Sequence, residues 1–219
     1  MARLLFEKTG KSVWISHLDL MRLFQRAFKR AGLPLTHTQG FNPRPSVSIA
    51  LPLSVGVESE CELLDFNLDG EAVPMEQIVD KLNLTLVEGV RVREAYEKGS
   101  KLRDLAFMNC HVFLNYDSGV PDGAFKAITN LFNSESLMVE KKSKNGYVEQ
   151  DIIPMIRSLS VFRENEKVVV IDAVIACQNP SMNPVQLSQA VERYLPDLKP
   201  DHVCCRRIEI FDHALNVFR

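Results

Sequence analysis

Hydrophobic positions along the chain follow two periods, and where one gives way to the other the chain divides into elements. Arg3 to Glu7 is a short apolar segment that predicts a strand, Lys8-Thr9-Gly10-Lys11 turns, and Ser12 to Ile15 is again β-prone. Leu20, Phe24, Ala27, Phe28 and Ala31 then recur at helical spacing. Ser16 and Asp19 offer a hydroxyl and a carboxylate to the free N–H groups of a first turn, and Gly32 followed by Leu33-Pro34 supplies a stop. The pattern predicts a helix over about residues 17 to 31. From Ser46 to Val57 the odd positions are all apolar, a period of two that predicts a half-buried strand, with Pro52 placing it at an edge or a bulge. Glu60 to Leu68 reads as a second strand, Val73 to Leu84 as a helix and Val87 to Ala95 as a strand. The order is β-α-β-β-α-β.

Glu97-Lys98-Gly99-Ser100-Lys101 is polar and glycine-containing, the composition of a linker, and after it the order begins again. Phe107 to Tyr116 predicts a strand, Asp122 to Phe132 a helix, Ser158 to Phe162 and Val168 to Cys177 two strands, Pro184 to Leu195 a helix and Val203 to Phe211 a last strand. Leu137 to Glu140 and the basic turn Lys141 to Gly146 come between that helix and the two strands, with an insertion near residues 140–157. Two such halves, 1–97 and 105–219, predict an α+β protein of tandem ferredoxin-like halves with antiparallel sheets, each covered by helices on one face.

Charge adds a functional hint. The net charge of the 219 residues is only -2 and the pI about 6.2. Residues 8 to 46 nevertheless carry Lys8, Lys11, Arg22, Arg26, Lys29, Arg30 and Arg44 against Asp19 alone. Such a local excess repels itself, and an anionic partner is one reason to keep it. Arg22, Arg26 and Lys29-Arg30 stand one helical turn apart on the predicted helix, where phosphate oxygens would offset their repulsion. A solvated face, or salt bridges to acids from distant sequence, accounts for the row equally well.

The segment Leu35 to Pro45 follows. Gly40 permits a left-handed backbone, Pro43 and Pro45 stiffen the chain and Asn42 can brace a turn, so a rigid loop is expected. It gathers Gln39, Asn42 and Arg44 beside Phe41, a set suited to a base stacked on the ring with its edge and phosphate bound nearby. An ordinary turn with Phe41 plugged into the core is the competing reading. Ser16, His17 and Asp19 read as a helix start before they read as a catalytic set, although His17 could bind an anion or simply pack.

Other chemistry finds little support. His17, His37, His111, His202 and His213 form no metal-binding spacing, and phosphate-loop, dinucleotide and serine-hydrolase motifs are missing. The five cysteines, at 61, 110, 177, 204 and 205, show no C-x-x-C spacing and fit buried reduced thiols. In the last strand Cys205 and Arg207 should face one way and Cys204 and Arg206 the other. Lys141, Lys142 and Lys144 form a small basic loop, most simply a solvated turn. No apolar run approaches the roughly 18 to 20 residues that span a bilayer, and the N-terminus has no long apolar stretch before a cleavage site, so a soluble cytoplasmic protein is expected.

Phe6-x-Lys8, Ile15-Ser16-His17-Leu18-Asp19, Arg22, Arg26, Thr38-Gln39-Gly40-Phe41-Asn42-Pro43, Leu51-Pro52-Leu53, Gly56-Val57 and Ser59-Glu60 together resemble the bacterial radical-SAM-linked proteins, a domain family of unknown function. The resemblance is specific through about residue 68 and looser beyond, where Asp151-Ile152-x-Pro154 and Arg207-Ile208-Glu209 are similar to later landmarks. It implies a radical SAM protein as partner. The chain itself lacks the C-x-x-x-C-x-x-C that holds such a cluster, and no cofactor is expected of it.

The expectation is an accessory module that binds RNA or another phosphate-bearing ligand. Arg22, Arg26, Arg30 and Arg44 would meet phosphate, Gln39 and Asn42 would read polar edges, and Phe41 would stack, with His17 at the helix start. A small nuclease or phosphoester-acting enzyme using His17 with arginine clamps, and a protein-interaction adaptor for the radical SAM enzyme, are the alternatives.

Overall fold

A computed structural model describes residues 1–97, 99–143 and 146–219. The protein is α+β and forms two compact units, Met1–Asp104 with Phe218–Arg219, and Leu105–Val217. Among the described residues no helix is long and apolar enough to cross a membrane.

The first unit runs β1 (Ala2–Lys8), α1 (His17–Arg30), β2 (Val47–Ile49), β3 (Val57–Phe66), α2 (Met75–Asn83) and β4 (Val90–Glu97). Its strands lie in the order β4-β1-β3-β2, every neighbouring pair antiparallel. Leu4 and Phe6 of β1 and Leu64 and Phe66 of β3 meet Leu20, Phe24, Ala27 and Phe28 of α1 and Ile78 and Leu82 of α2 in one buried core. The Phe6 and Phe24 rings meet edge to face with centroids 4.7 Å apart. This apolar stripe fixes which side of α1 faces inward and so turns its cations to solvent.

α1 starts where its capping chemistry requires. Ser16 is extended, and its hydroxyl accepts from the Asp19 amide at 3.2 Å and donates to the Asp19 carboxylate at 2.7 Å. At the other end Gly32 takes φ 68° and Leu33 N–H returns to the Phe28 carbonyl at 2.9 Å, closing the last turn. Ser16→Ala is expected to cost about 1 kcal/mol in urea unfolding; an unchanged midpoint would show that the cap contributes nothing.

Two elements differ from expectation. Val13 and its neighbours form no strand: Gly10–Trp14 is a 3-10 turn, held by the Thr9 amide on the Gly89 carbonyl and by the Ser12 hydroxyl on the Thr9 and Gly89 carbonyls. The predicted strand from Ser46 to Val57 is only three residues long as β2, because Pro52 withholds an amide and Gly56 turns with φ 84° before β3.

The second unit runs β5 (Leu105–Asn115), α3 (Ala124–Phe132), β6 (Met138–Ser143), β7 (Gly146–Asp151), β8 (Ile156–Asn165), β9 (Val168–Ala176), α4 (Val185–Tyr194) and β10 (His202–Asp212). Its main sheet has the antiparallel order β10-β5-β9-β8, and β6 and β7 pair separately as a hairpin that accounts for the insertion. Alternation in β5 buries Met108, Cys110, Val112 and Leu114 on one face and leaves Asn109, His111 and Phe113 half-buried on the other.

Cys61, Cys110, Cys177 and Cys205 are buried free thiols, and burial pushes Cys177 up to about 11 and Cys205 up to about 12. Cys204 departs from the expectation of burial: strand alternation turns it to solvent. Arg207 shares the buried side with Cys205, as the period of two requires.

Candidate nucleic-acid interface

Lysines and arginines on α1 do not act as one row. Arg22 lies 2.9 Å from Asp19, so the single acid of the basic stretch answers it. The Ser16 hydroxyl first, and then Arg22, hold the Asp19 carboxyl below its ordinary range. Arg30 donates to the Thr85 carbonyl at 2.7 Å, beside the end of α2, which gives it a tethering role. Arg26 and Lys29 are exposed, and among the described residues neither has an ion-pair partner. His17 opens α1 half-buried.

The loop between α1 and β2 is a short two-stranded stem with a tip. Ser46 N–H donates to the Thr36 carbonyl at 2.7 Å, Thr38 N–H to the Arg44 carbonyl at 2.9 Å, and Arg44 N–H to the Thr38 hydroxyl at 3.1 Å. His37 pairs with Pro45 across the stem. Gly40 takes φ 130° at the tip, a backbone that side chains rarely adopt. Gln39, Asn42 and Arg44 are all exposed, and Phe41 reaches 106% relative exposure, so its ring packs against nothing in the core.

Behind the stem lies a cavity of about 510 Å³. Gln25 and Lys29 of α1, the Gly32 to Leu35 descent, and His37 and Pro45 of the stem line it. The Gln25 amide donates to the Pro45 carbonyl at 3.2 Å and ties helix to loop. None of His17, Arg22, Arg26, Arg30, Gln39, Phe41, Asn42 and Arg44 lines this cavity. They occupy the first turn of α1, its exposed side and far end, and the loop tip.

Several surface groups were missed by sequence reasoning. Trp14 is 73% exposed, with its ring against Gly56. In the second unit Asn109 donates to Asp172, whose carboxylate lies 3.6 Å from His111 Nε2. Phe113 and Phe162 flank His111 with ring centroids 6.0 and 6.3 Å away, and the Arg206 guanidinium sits over Phe113. The odd-numbered residues of β5 carried that signal, but only the register with β8, β9 and β10 brings the partners together. Of the basic turn in the insertion, Lys141 donates to the Ser181 carbonyl at 2.7 Å, and Lys144 lies outside the described residues. Among the described residues no cluster of three or more metal-ligating side chains occurs.

Residues 2–184 match the family described as uncharacterized proteins conserved in bacteria, DUF2344. The chain belongs to this family. No curated protein matches the DUF2344 chain. Among solved structures it is similar to a chain of a Cbf5-Nop10-Gar1 complex, at 8% identity and a TM-score of 0.53 over 95% of its own length. It spans about half (48%) of that chain, and at this identity the likeness is one of fold. An unknown protein from Galdieria sulphuraria is matched over 94% of this chain and 96% of its own at 11% identity, with a TM-score of 0.27 that carries no argument.

Proposed function

We propose that this DUF2344 protein is a cytoplasmic accessory protein that binds RNA through the α1–β2 loop of its first unit and presents it to a radical SAM partner. The observation that carries the reading is Phe41, held wholly in solvent at the tip of a hydrogen-bonded stem. Leaving such a ring in water forgoes roughly 1.5–3 kcal/mol of burial, which a stacked base restores in part at about 1–3 kcal/mol. Gln39 and Asn42 offer amide donors and acceptors beside the ring for a base edge, and Arg44 and Arg26 offer cations for phosphate. Arg22 and Arg30, the clamps that a catalytic His17 would use, are engaged by Asp19 and Thr85, and binding at the loop needs neither. The partner rests on the sequence resemblance to radical-SAM-linked proteins, and the strand orders of the two units support tandem ferredoxin-like halves.

Fluorescence anisotropy with a labelled single-stranded oligoribonucleotide tests the reading. Phe41→Ala is expected to weaken binding by roughly 5- to 150-fold. Arg26→Ala with Arg44→Ala should flatten the slope of log K against log salt by about 0.7 for each phosphate that is no longer neutralised. Absence of binding at low salt, or affinity indifferent to Phe41, would sink the proposal.

A further inference from the structure

We infer that the cavity behind the loop stem is a subsite for one nucleotide, with the heterocycle against its Pro34 and Pro45 rings and the phosphate at Lys29 and His37. The inference rests on the RNA-binding reading of the adjoining loop and names what its inner surface takes. At about 510 Å³ the cavity falls within the roughly 300–1,000 Å³ usual for small-ligand sites.

The floor is fixed before any ligand arrives. Leu33 and Leu35 are 1% and 6% exposed and belong to the core of the unit, so they back the cavity without moving in to fill it, and exposed Pro34 between them presents a stiff apolar ring. Pro45 adds a stiff ring held in place by the Gln25 amide. The polar groups that can meet a phosphate come from two elements: Lys29 is exposed on α1 and His37 is exposed on the stem, and no carboxylate lines the cavity.

This distribution selects the ligand. A bare anion would use Lys29 and His37 but gain nothing from the proline rings, and a hydrocarbon would cover the prolines but leave both cationic or hydrogen-bonding groups idle. A flat heterocycle joined to a phosphate uses both parts. Such a group arrives as a free mononucleotide or as one residue of an RNA strand splayed out of its stack, the form in which single-stranded RNA offers its bases.

Isothermal titration of the full chain with AMP, with laurate and with an oligoribonucleotide separates these sources. Two variants probe the cavity: Gln25→Trp, which fills it from the helix surface and gives up the bond to Pro45, and Lys29→Ala with His37→Ala, which removes its two cationic or hydrogen-bonding groups and leaves the apolar lining in place. Circular dichroism checks the fold of each, and if Gln25→Trp does not fold, the double alanine variant decides alone. A free nucleotide is the ligand if AMP binds and the variants weaken it at least 10-fold. An RNA residue is the ligand if AMP fails to bind while the variants weaken the oligoribonucleotide at least 10-fold. The subsite is overturned if AMP fails to bind while RNA binds wild type and variants alike, if AMP binds wild type and variants alike, if neither AMP nor RNA binds, or if laurate binds and AMP does not; RNA recognition by the loop survives wherever the oligoribonucleotide still binds the wild type. AMP binding without RNA binding would keep the subsite and remove the RNA-binding reading.

Discussion

Asp65→Ala is expected to destabilise the first unit by about 3–5 kcal/mol, because it strands a buried guanidinium. Arg3 and Asp65 are paired directly across β1 and β3, and their side chains are only 2% and 5% exposed. The guanidinium grips the carboxylate with two bonds, Nε at 2.6 Å and Nη2 at 3.1 Å. Its other side lies against the Phe218 ring at 5.4 Å, and any side chain at Gly99 would collide with it. Burial opposes the charge on Arg3, yet the Asp65 carboxylate outweighs it and lifts the arginine pKa above its ordinary value. Burial also pushes the neighbouring Tyr96 phenol up to about 12, so near neutral pH the phenol adds no second negative charge to replace the lost one. Urea unfolding of Asp65→Ala checks the magnitude. Arg3→Met combined with Asp65→Leu should recover most of the loss, since both charges then disappear together. A single-variant cost below about 1 kcal/mol would mean that water reaches the pair.

Gly89→Ala is expected to cost roughly 2–5 kcal/mol, from a left-handed backbone and overpacking together. Gly89 has φ 83°, and a Cβ there would press on the Thr9 carbonyl oxygen and the Ser12 side chain. Those same groups hold the Gly10–Trp14 turn that leads into α1. The variant should therefore loosen the entry to α1 as well as lower the unfolding midpoint, and amide hydrogen exchange of residues 12–20 should rise. Gly10→Ala is the comparison: its φ of 58° is also left-handed, but its Cβ would meet open space, so only about 1–2 kcal/mol is expected. Equal losses for the two variants would remove the steric part of the argument.

Periodic segments were legible in the sequence, and paired or folded-back ones were not. α1 was predicted over about residues 17 to 31 and spans His17–Arg30, since its apolar stripe, Ser16 cap and Gly32 stop all agree. Val47 to Val57 kept its alternation on paper, but alternation says nothing about whether Pro52 and Gly56 let the backbone continue a ladder. Helical spacing groups Arg22 with the other cations, but spacing does not show that the Asp19 carboxylate, one turn back, meets both the Ser16 hydroxyl and Arg22. Lys29 and His37 stand eight residues apart, and only the reversal at Gly32 brings them to one cavity. The Arg3–Asp65 pair, at a separation of 62 residues, is set entirely by strand register.

The stem of the α1–β2 loop closes on its own hydrogen bonds between Thr36, Thr38, Arg44 and Ser46, and its outermost residues lie apart from the buried core. Exchange of Gln39, Phe41 or Asn42 should therefore leave thermal tolerance nearly untouched. Evolution can retune such a tip by single steps without first accumulating compensating changes elsewhere, and a laboratory library randomised at those three positions should return folded proteins at nearly every draw.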